Sequence, residues 1–244
     1  MRFSIITLFP EMFDGVFNHS ILSRALKENR IQIEFINLRK FGIGPHQIVD
    51  DKPYGGGVGM VLRVDVLHNA IKSTKLHKGN EKVAIFDAKG EPYSQSIAES
   101  FSKLDHLILV CGRYEGFDER IKNYVDFSIS IGDYILTGGE IPAMSVVDSV
   151  TRLIPHVLKK EHATEYESFS QSSHGRILEH AQYTRPEVYD EKRVPEVLLS
   201  GHDANVKEFR EKQALQLTKI IRPDISESTN QVLSEARAAE KSKE

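Results

Sequence analysis

A chain of 244 residues with 40% hydrophobic and 27% charged residues has the composition of an ordinary water-soluble protein of one or two domains, and no apolar run approaches the length of a membrane-spanning helix. The single cysteine, Cys111, excludes an intrachain disulfide and a cysteine-built zinc site. Net charge is −3, with 20 basic against 19 acidic residues up to position 160 and 12 against 16 beyond it, so neither part is a basic nucleic-acid module, and the cytoplasm is the default location.

The N-terminal run MRFSIITLFPEMFD carries one basic residue and reads as a first strand, Ile5 to Phe9, ended by Pro10, and not as a signal peptide. Ser20 is placed to cap a helix whose Ile21, Leu22, Ala25 and Leu26 share one face. Residues 31–38 alternate as a strand. A long loop follows at 42–62, with the run Gly55-Gly56-Gly57-Val58-Gly59; backbone contact with a ligand and simple flexibility both fit it. Val64, Leu67, Ala70 and Ile71 mark a second helix, Val83 to Phe86 a strand ending at Asp87-Ala88-Lys89-Gly90, and Ser94 starts a third helix.

Leu107 to Val110 and Phe127 to Ile131 are apolar without alternation, as expected of strands buried on both faces. Alternation of strand and helix predicts an α/β fold with a mainly parallel sheet. Both strands end in glycine-rich turns, Cys111-Gly112 and Gly132, followed by Gly138-Gly139 and by Pro142 at a helix start. Ligands of open α/β sheets sit outside the carboxyl ends of strands, and glycine there admits close backbone approach. Cys111 itself reads as a packed thiol. The helix from Pro142 is expected to run to Ile154 and to stop at Pro155, with Asp148 and Arg152 four apart on one face. Residues 159–176 are polar and Ser/His-rich, like an interdomain linker. A long helix is expected from Asp203, acting as its cap, with Val206, Phe209, Gln213, Leu217 and Ile220 on one side; a frayed tail follows Pro223. The Rossmann glycine fingerprint, the P-loop, H-E-x-x-H and G-x-S-x-G are all absent from the sequence.

The strings CGRYEGFDER and SIGDYILTGGEIPAM resemble the bacterial tRNA (guanine-N1-)-methyltransferase family of the knotted SPOUT class. ITLFPEMF, SILSRAL, HQIVDDKPYGGGVGM, AQYTRPEV and VPEVLLSGHDANVKEFR extend the resemblance nearly end to end. It implies a SPOUT domain at 1–160 with a parallel sheet and a C-terminal trefoil knot, a linker at 161–176, and a small helical tRNA-binding domain at 177–244. It implies methyl transfer from S-adenosylmethionine to N1 of the tRNA guanine immediately 3′ of the anticodon, by a homodimer whose site combines both subunits. Family members also use Mg²⁺, for which no carboxylate cluster here announces a site.

Residue by residue, the resemblance assigns S-adenosylmethionine contacts to Gly112, Ile131, Gly132, Asp133, Tyr134, Ile135, Leu136, Gly138, Gly139 and Pro142. It makes Arg152 the cation of the active site and Glu167 the base, although family members carry aspartate there. On the residues alone Glu167 is connector charge alongside Glu161 and Glu165. Glu115 is either a group near the methyl donor or a surface charge favouring a helix start. Glu179, Arg185, Ser200, Gly201 and His202 are the RNA contacts it implies. Valine at 58 replaces the family's usual proline, and the segment after Phe169 is longer than usual. A small-molecule α/β enzyme and an RNA-binding protein that has lost catalysis are the rival functions.

Overall fold

The computed structural model describes residues 1–160, 164–173 and 175–225. The chain divides into two compact units, Met1–Glu161 and His162–Glu244. The tail expected beyond residue 225, and Glu161, lie outside the described residues.

The first unit comprises β1 (Arg2–Thr7), α1 (Ser20–Lys27), β2 (Gln32–Asn37), β3 (Asp50–Asp51), β4 (Val61–Leu62), α2 (Val64–Thr74), β5 (Glu81–Pro92), α3 (Gln95–Phe101), β6 (His106–Val110), β7 (Phe127–Ser130) and α4 (Glu140–Thr151). Five strands form one sheet in the order β2-β1-β6-β5-β7, every pair parallel, which bears out the α/β expectation. All five residues of β6 are buried because it runs through the middle of the sheet. Leu107 and Leu109 pack with Phe3 and Ile5 against α1, α3 and α4, while Ile108 and Val110 pack with Ile6 against α2. Each such aliphatic side chain contributes about 1.5–3 kcal/mol by burial.

Three local expectations are corrected. Ser20 does not cap α1: its backbone sits at φ 55°, the cap position is His19, and no side chain bonds the free amides. The strand read as ending at Phe86 continues to Pro92, because four residues loop out and the chain then rejoins the sheet. Phe86 and Glu91 both pair with Ile129, and Gly90 fits because a Cβ there would lie 2.6 Å from the Ile129 nitrogen. Helix α4 stops at Thr151, short of Pro155, and Pro142 lies inside its first turn, two residues after Glu140.

At the amino ends of the strands, His106 is 1% exposed and lies between Glu81, 2.7 Å from Nδ1, and the Ser4 hydroxyl, 2.9 Å from Nε2. The serine and histidine of this row are sealed from solvent, and only the edge of Glu81 reaches it. The row satisfies polar groups within the core and has no surface from which to attack a substrate.

The second unit holds two short hairpins, β8 (Ser170–Ser172) with β9 (Gly175–Ile177) and β10 (Val188–Tyr189) with β11 (Lys192–Arg193), and the helix α5 (Asp203–Ile221). The stretch read as a polar connector therefore carries paired strands in its second half. The extended chain after β9 lies on α5: the Leu178 amide donates to the Thr218 hydroxyl and the Ala181 amide to the Gln213 side-chain oxygen Oε1, each at 2.8 Å. Ala214 and Thr218 are the buried residues of α5, whereas Ile220, expected on the packed side, is 70% exposed. The cap of α5 is His202 and not Asp203, which is the first helical residue. Among the described residues no helix is long and apolar enough to cross a membrane.

Candidate active site

A cleft of about 300 Å³ opens at the carboxyl ends of β5, β6 and β7. Three segments wall it: the loop thrown out of β5, the turn after β6, and the turn between β7 and α4. Gly112, Glu115, Ile131, Gly132, Tyr134, Ile135, Leu136, Gly138, Gly139 and Pro142 all line it. Asp133, grouped with them on sequence, is exposed and does not. The walls combine glycine backbone and apolar side chains (Ile131, Ile135, Leu136 and Pro142 among them) with charged side chains at Asp87, Lys89, Arg113, Glu115, Asp118, Glu119 and Lys122.

Gly139 shows why the turn must be glycine. Its amide donates to the Gly112 carbonyl at 2.9 Å, drawing the two turns together. A Cβ at Gly139 would lie 2.6 Å from the Cys111 Cα and 2.7 Å from the Gly112 nitrogen, so no side chain fits without moving backbone. Cys111 is 2% exposed, and burial, with the Glu140 charge adding to it, pushes its thiol well above the usual range; it is packing, not a nucleophile.

The long loop at 42–62 reaches the same place. Its end docks on the turn after β6: the Glu115 amide donates to the Met60 carbonyl at 3.0 Å, the Leu62 amide to Gly116 at 2.9 Å, and the Asp118 amide to Leu62 at 3.0 Å. The Glu115 side chain lies over Gly59, where a Cβ would meet its Oε1 at 2.5 Å. Gly55 and Gly56 stand in open space. The end of the glycine run thus packs under a cleft residue of the chain itself, while a Cβ at Gly55 or Gly56 would meet nothing within 4 Å.

Sequence reasoning missed one wall. Asp87, Ala88 and Lys89, read as a plain strand end, line the cleft. Ion pairs tie this loop to the turn after β6, Lys122 to Asp87 and Lys89 to Glu119, each at 3.5 Å. The one signal was Gly90, a glycine in an apolar strand with no turn partner.

Arg152 follows the last residue of α4, its amide donating to the Asp148 carbonyl at 3.2 Å. Glu167 belongs to the second unit, where it is half-buried and its carbonyl accepts the Ser170 amide at 3.0 Å. Glu165 is exposed. The second unit has its own cleft of about 590 Å³, lined by His180, Tyr183, Arg185 and Arg210 among others. Burial, with Arg210 nearby, holds the His180 imidazole below its ordinary pKa. Glu179 is exposed beside this cleft's chain segment, and Ser200, Gly201 and His202 form the exposed turn entering α5; none of the four lines the cleft. Among the described residues no group of three or more histidine, cysteine or carboxylate side chains is placed to hold a metal ion.

A family model described as tRNA (Guanine-1)-methyltransferase TrmD matches residues 1–228. A protein of Clostridium botulinum (strain 657 / Type Ba4) named tRNA (guanine-N(1)-)-methyltransferase is 45% identical over 225 residues, covering 92% of this chain and 91% of its own. Relatives of the same name from Dictyoglomus turgidum and Staphylococcus carnosus are each 46% identical, over 94% and 92% of this chain and 91% and 90% of theirs. With a parallel α/β sheet, a glycine-walled cleft at its carboxyl edge and a match across nearly the whole sequence, the chain belongs to the tRNA (guanine-N1-)-methyltransferase family.

Proposed function

We propose that this protein transfers the methyl group of S-adenosylmethionine to N1 of the guanine immediately 3′ of the anticodon in tRNA. The observation that carries the proposal is the cleft, whose glycine-rich and partly apolar walls, with charged groups beside them, fit an adenosine and an amino-acid tail, in a chain whose curated relatives are named tRNA (guanine-N(1)-)-methyltransferases. The bound donor supplies an electrophilic methyl carbon on a positively charged sulfur.

The chain's residues prepare the acceptor. Guanine N1 carries a proton at neutral pH and is a poor nucleophile. In this reading the Glu167 carboxylate accepts that proton while Arg152 stabilises the negative charge gathering on O6. The N1 electron pair then forms the new bond to carbon as the carbon–sulfur bond breaks, and its electrons stay on sulfur, now neutral. Gly112 and the run 131–142 hold the donor; Glu115, docked against Gly59, borders it. Asp133 is left out of this set. For the Mg²⁺ that the resemblance implies, no group of three or more histidine, cysteine or carboxylate side chains stands together to hold it among the described residues. The deep knot of the SPOUT class and a cytoplasmic location belong to this proposal as well.

Two exposed features support further parts of the reading. Tyr134 is 56% and Ile135 84% exposed at the mouth of the cleft, more than apolar groups beside a ligand would keep, which fits a second copy closing over them. Sedimentation should therefore give a dimer of the 27.6 kDa chain; a fully active monomer would refute this. Arg185 and Arg210, on the cleft of the second unit, are the proposed phosphate contacts, with Glu179 and Ser200-Gly201-His202 along the RNA path. Arg210→Ala should raise KM for tRNA, leave donor affinity unchanged, and lower the salt slope of tRNA binding by about 1; an unchanged slope counts against the contact. The deciding experiment for the function is mass spectrometry of nucleosides from unmodified tRNA transcript after incubation with protein and donor. Absence of N1-methylguanosine would reject it.

A further inference from the structure

Two buried polar atoms of the first unit lack any hydrogen-bond partner and face each other: Oε2 of Glu140 and Nη1 of Arg113. They stand 3.9 Å apart, within ion-pair range and beyond hydrogen-bond range. Glu140 is 1% exposed and opens α4. Its other oxygen is held at 2.8 Å by the hydroxyl of Thr7, the last residue of β1. Arg113 follows β6 and lays its guanidinium over the Phe9 ring, 4.8 Å from the centroid.

Gly138 lies against both groups: a Cβ built there would be 2.4 Å from Glu140 Oε2 and 2.8 Å from Arg113 Nη1. Arg113 and Gly138 are also bridged backbone to backbone, and both line the cleft, whereas Glu140 lies behind its wall. A helix start needs no glutamate buried this deeply, since a serine, threonine or aspartate cap would serve at the surface. A buried carboxylate with one oxygen unbonded is costly unless its charge is used.

We infer that Glu140 is a positioning residue whose carboxylate is the counter-charge of Arg113, keeping the wall at Arg113 and Gly138 electrically neutral so that the cleft admits a cationic sulfonium ligand. This rests on the donor assignment proposed above. The donor carries a positive sulfur; the product S-adenosylhomocysteine carries a neutral one. Without the Glu140 charge, Arg113 loses the carboxylate that faces it at 3.9 Å, and the wall, which also carries Asp87, Glu115, Asp118 and Glu119 against Lys89 and Lys122, becomes more positive by one charge. It then opposes the donor and not the product. A residue that merely packed the helix start would weaken both ligands alike.

The test is calorimetric affinity for donor and product, in wild type, Glu140→Gln and the double variant Glu140→Gln/Arg113→Met. Glu140→Gln should shift the donor-to-product affinity ratio toward the product by roughly 3- to 10-fold, as expected for a unit charge screened nearly as in water. The double variant removes both charges and should return the ratio to the wild-type value. An unchanged ratio in folded Glu140→Gln, or a double variant that keeps the shifted ratio, overturns the inference. Should Glu140→Gln not fold, Arg113→Met carries the test alone: the remaining anion should move the ratio toward the donor, and an unmoved ratio overturns the inference. Wild-type protein that binds neither ligand would overturn the donor assignment itself, and the inference with it.

Discussion

Glu167→Gln is expected to keep donor affinity and to lower the single-turnover rate of methyl transfer by about 10²- to 10⁴-fold, the usual range for losing a general base. Glutamine preserves the shape of the side chain and removes the proton acceptor. The donor contacts lie elsewhere, at Gly112 and along 131–142, so binding and chemistry should separate cleanly. Raising the pH should recover part of the rate, because guanine N1 then loses its proton to solvent. Glu167→Asp restores the residue usual in the family and should retain activity, provided the hairpin at 170–177 has not adapted the backbone to the longer side chain. Arg152→Ala should also be deficient. Combined with Glu167→Gln it should cost less than the two losses together, because groups that act on one proton transfer are not additive. A Glu167→Gln protein as fast as wild type at neutral pH would move the base to a neighbour, with the exposed Glu165 next in line.

Gly139→Val should abolish measurable donor binding. The contact it creates is with backbone: the Cys111 Cα at 2.6 Å and the Gly112 nitrogen at 2.7 Å. Neither can turn aside as a flexible side chain would. Relieving the clash means parting the turn after β6 from the turn before α4, which breaks the 2.9 Å bond from the Gly139 amide to Gly112 and opens the wall of the cleft. Calorimetry with a melting curve as the control for folding decides it. Unchanged donor affinity in a folded variant would show that the ligand lies elsewhere.

What the sequence revealed follows physical signals that are local. β6 was legible because a strand in the middle of a parallel sheet must be apolar on both faces, and Leu107 to Val110 are. The wall of the cleft was legible because glycines at two strand ends have few other reasons to cluster. Caps were misassigned at Ser20 and Asp203, since a serine or aspartate near a helix start announces a cap only if its backbone takes the extended conformation. The loop at 87–90 had no local signal beyond Gly90, because its partner, Ile129, lies some forty residues on. Asp133 was carried along by its neighbours in the chain although its side chain is exposed. Glu167 has no local signature at all; on composition it is one acid among several in a polar stretch, and only the resemblance to a family singled it out.

The strand order has a consequence for how the protein is made. β1 is synthesised long before β6, yet β6 is one of its two neighbours in the sheet, and Thr7 at its end bonds Glu140, 133 residues later. Until β6 is synthesised, β1 can pair only with β2, and its other edge stays open. Contacts of such sequence separation form late and slow the folding of a domain. The cleft, built from the turns after β5, β6 and β7, therefore cannot be complete before β7 and the turn beyond it have been synthesised. A nascent chain stalled before residue 106 carries an apolar strand, with Phe3, Ile5 and Ile6 on it, that is paired at most with β2 and open along its other edge, a segment fitted to be held by a chaperone or to associate with its like.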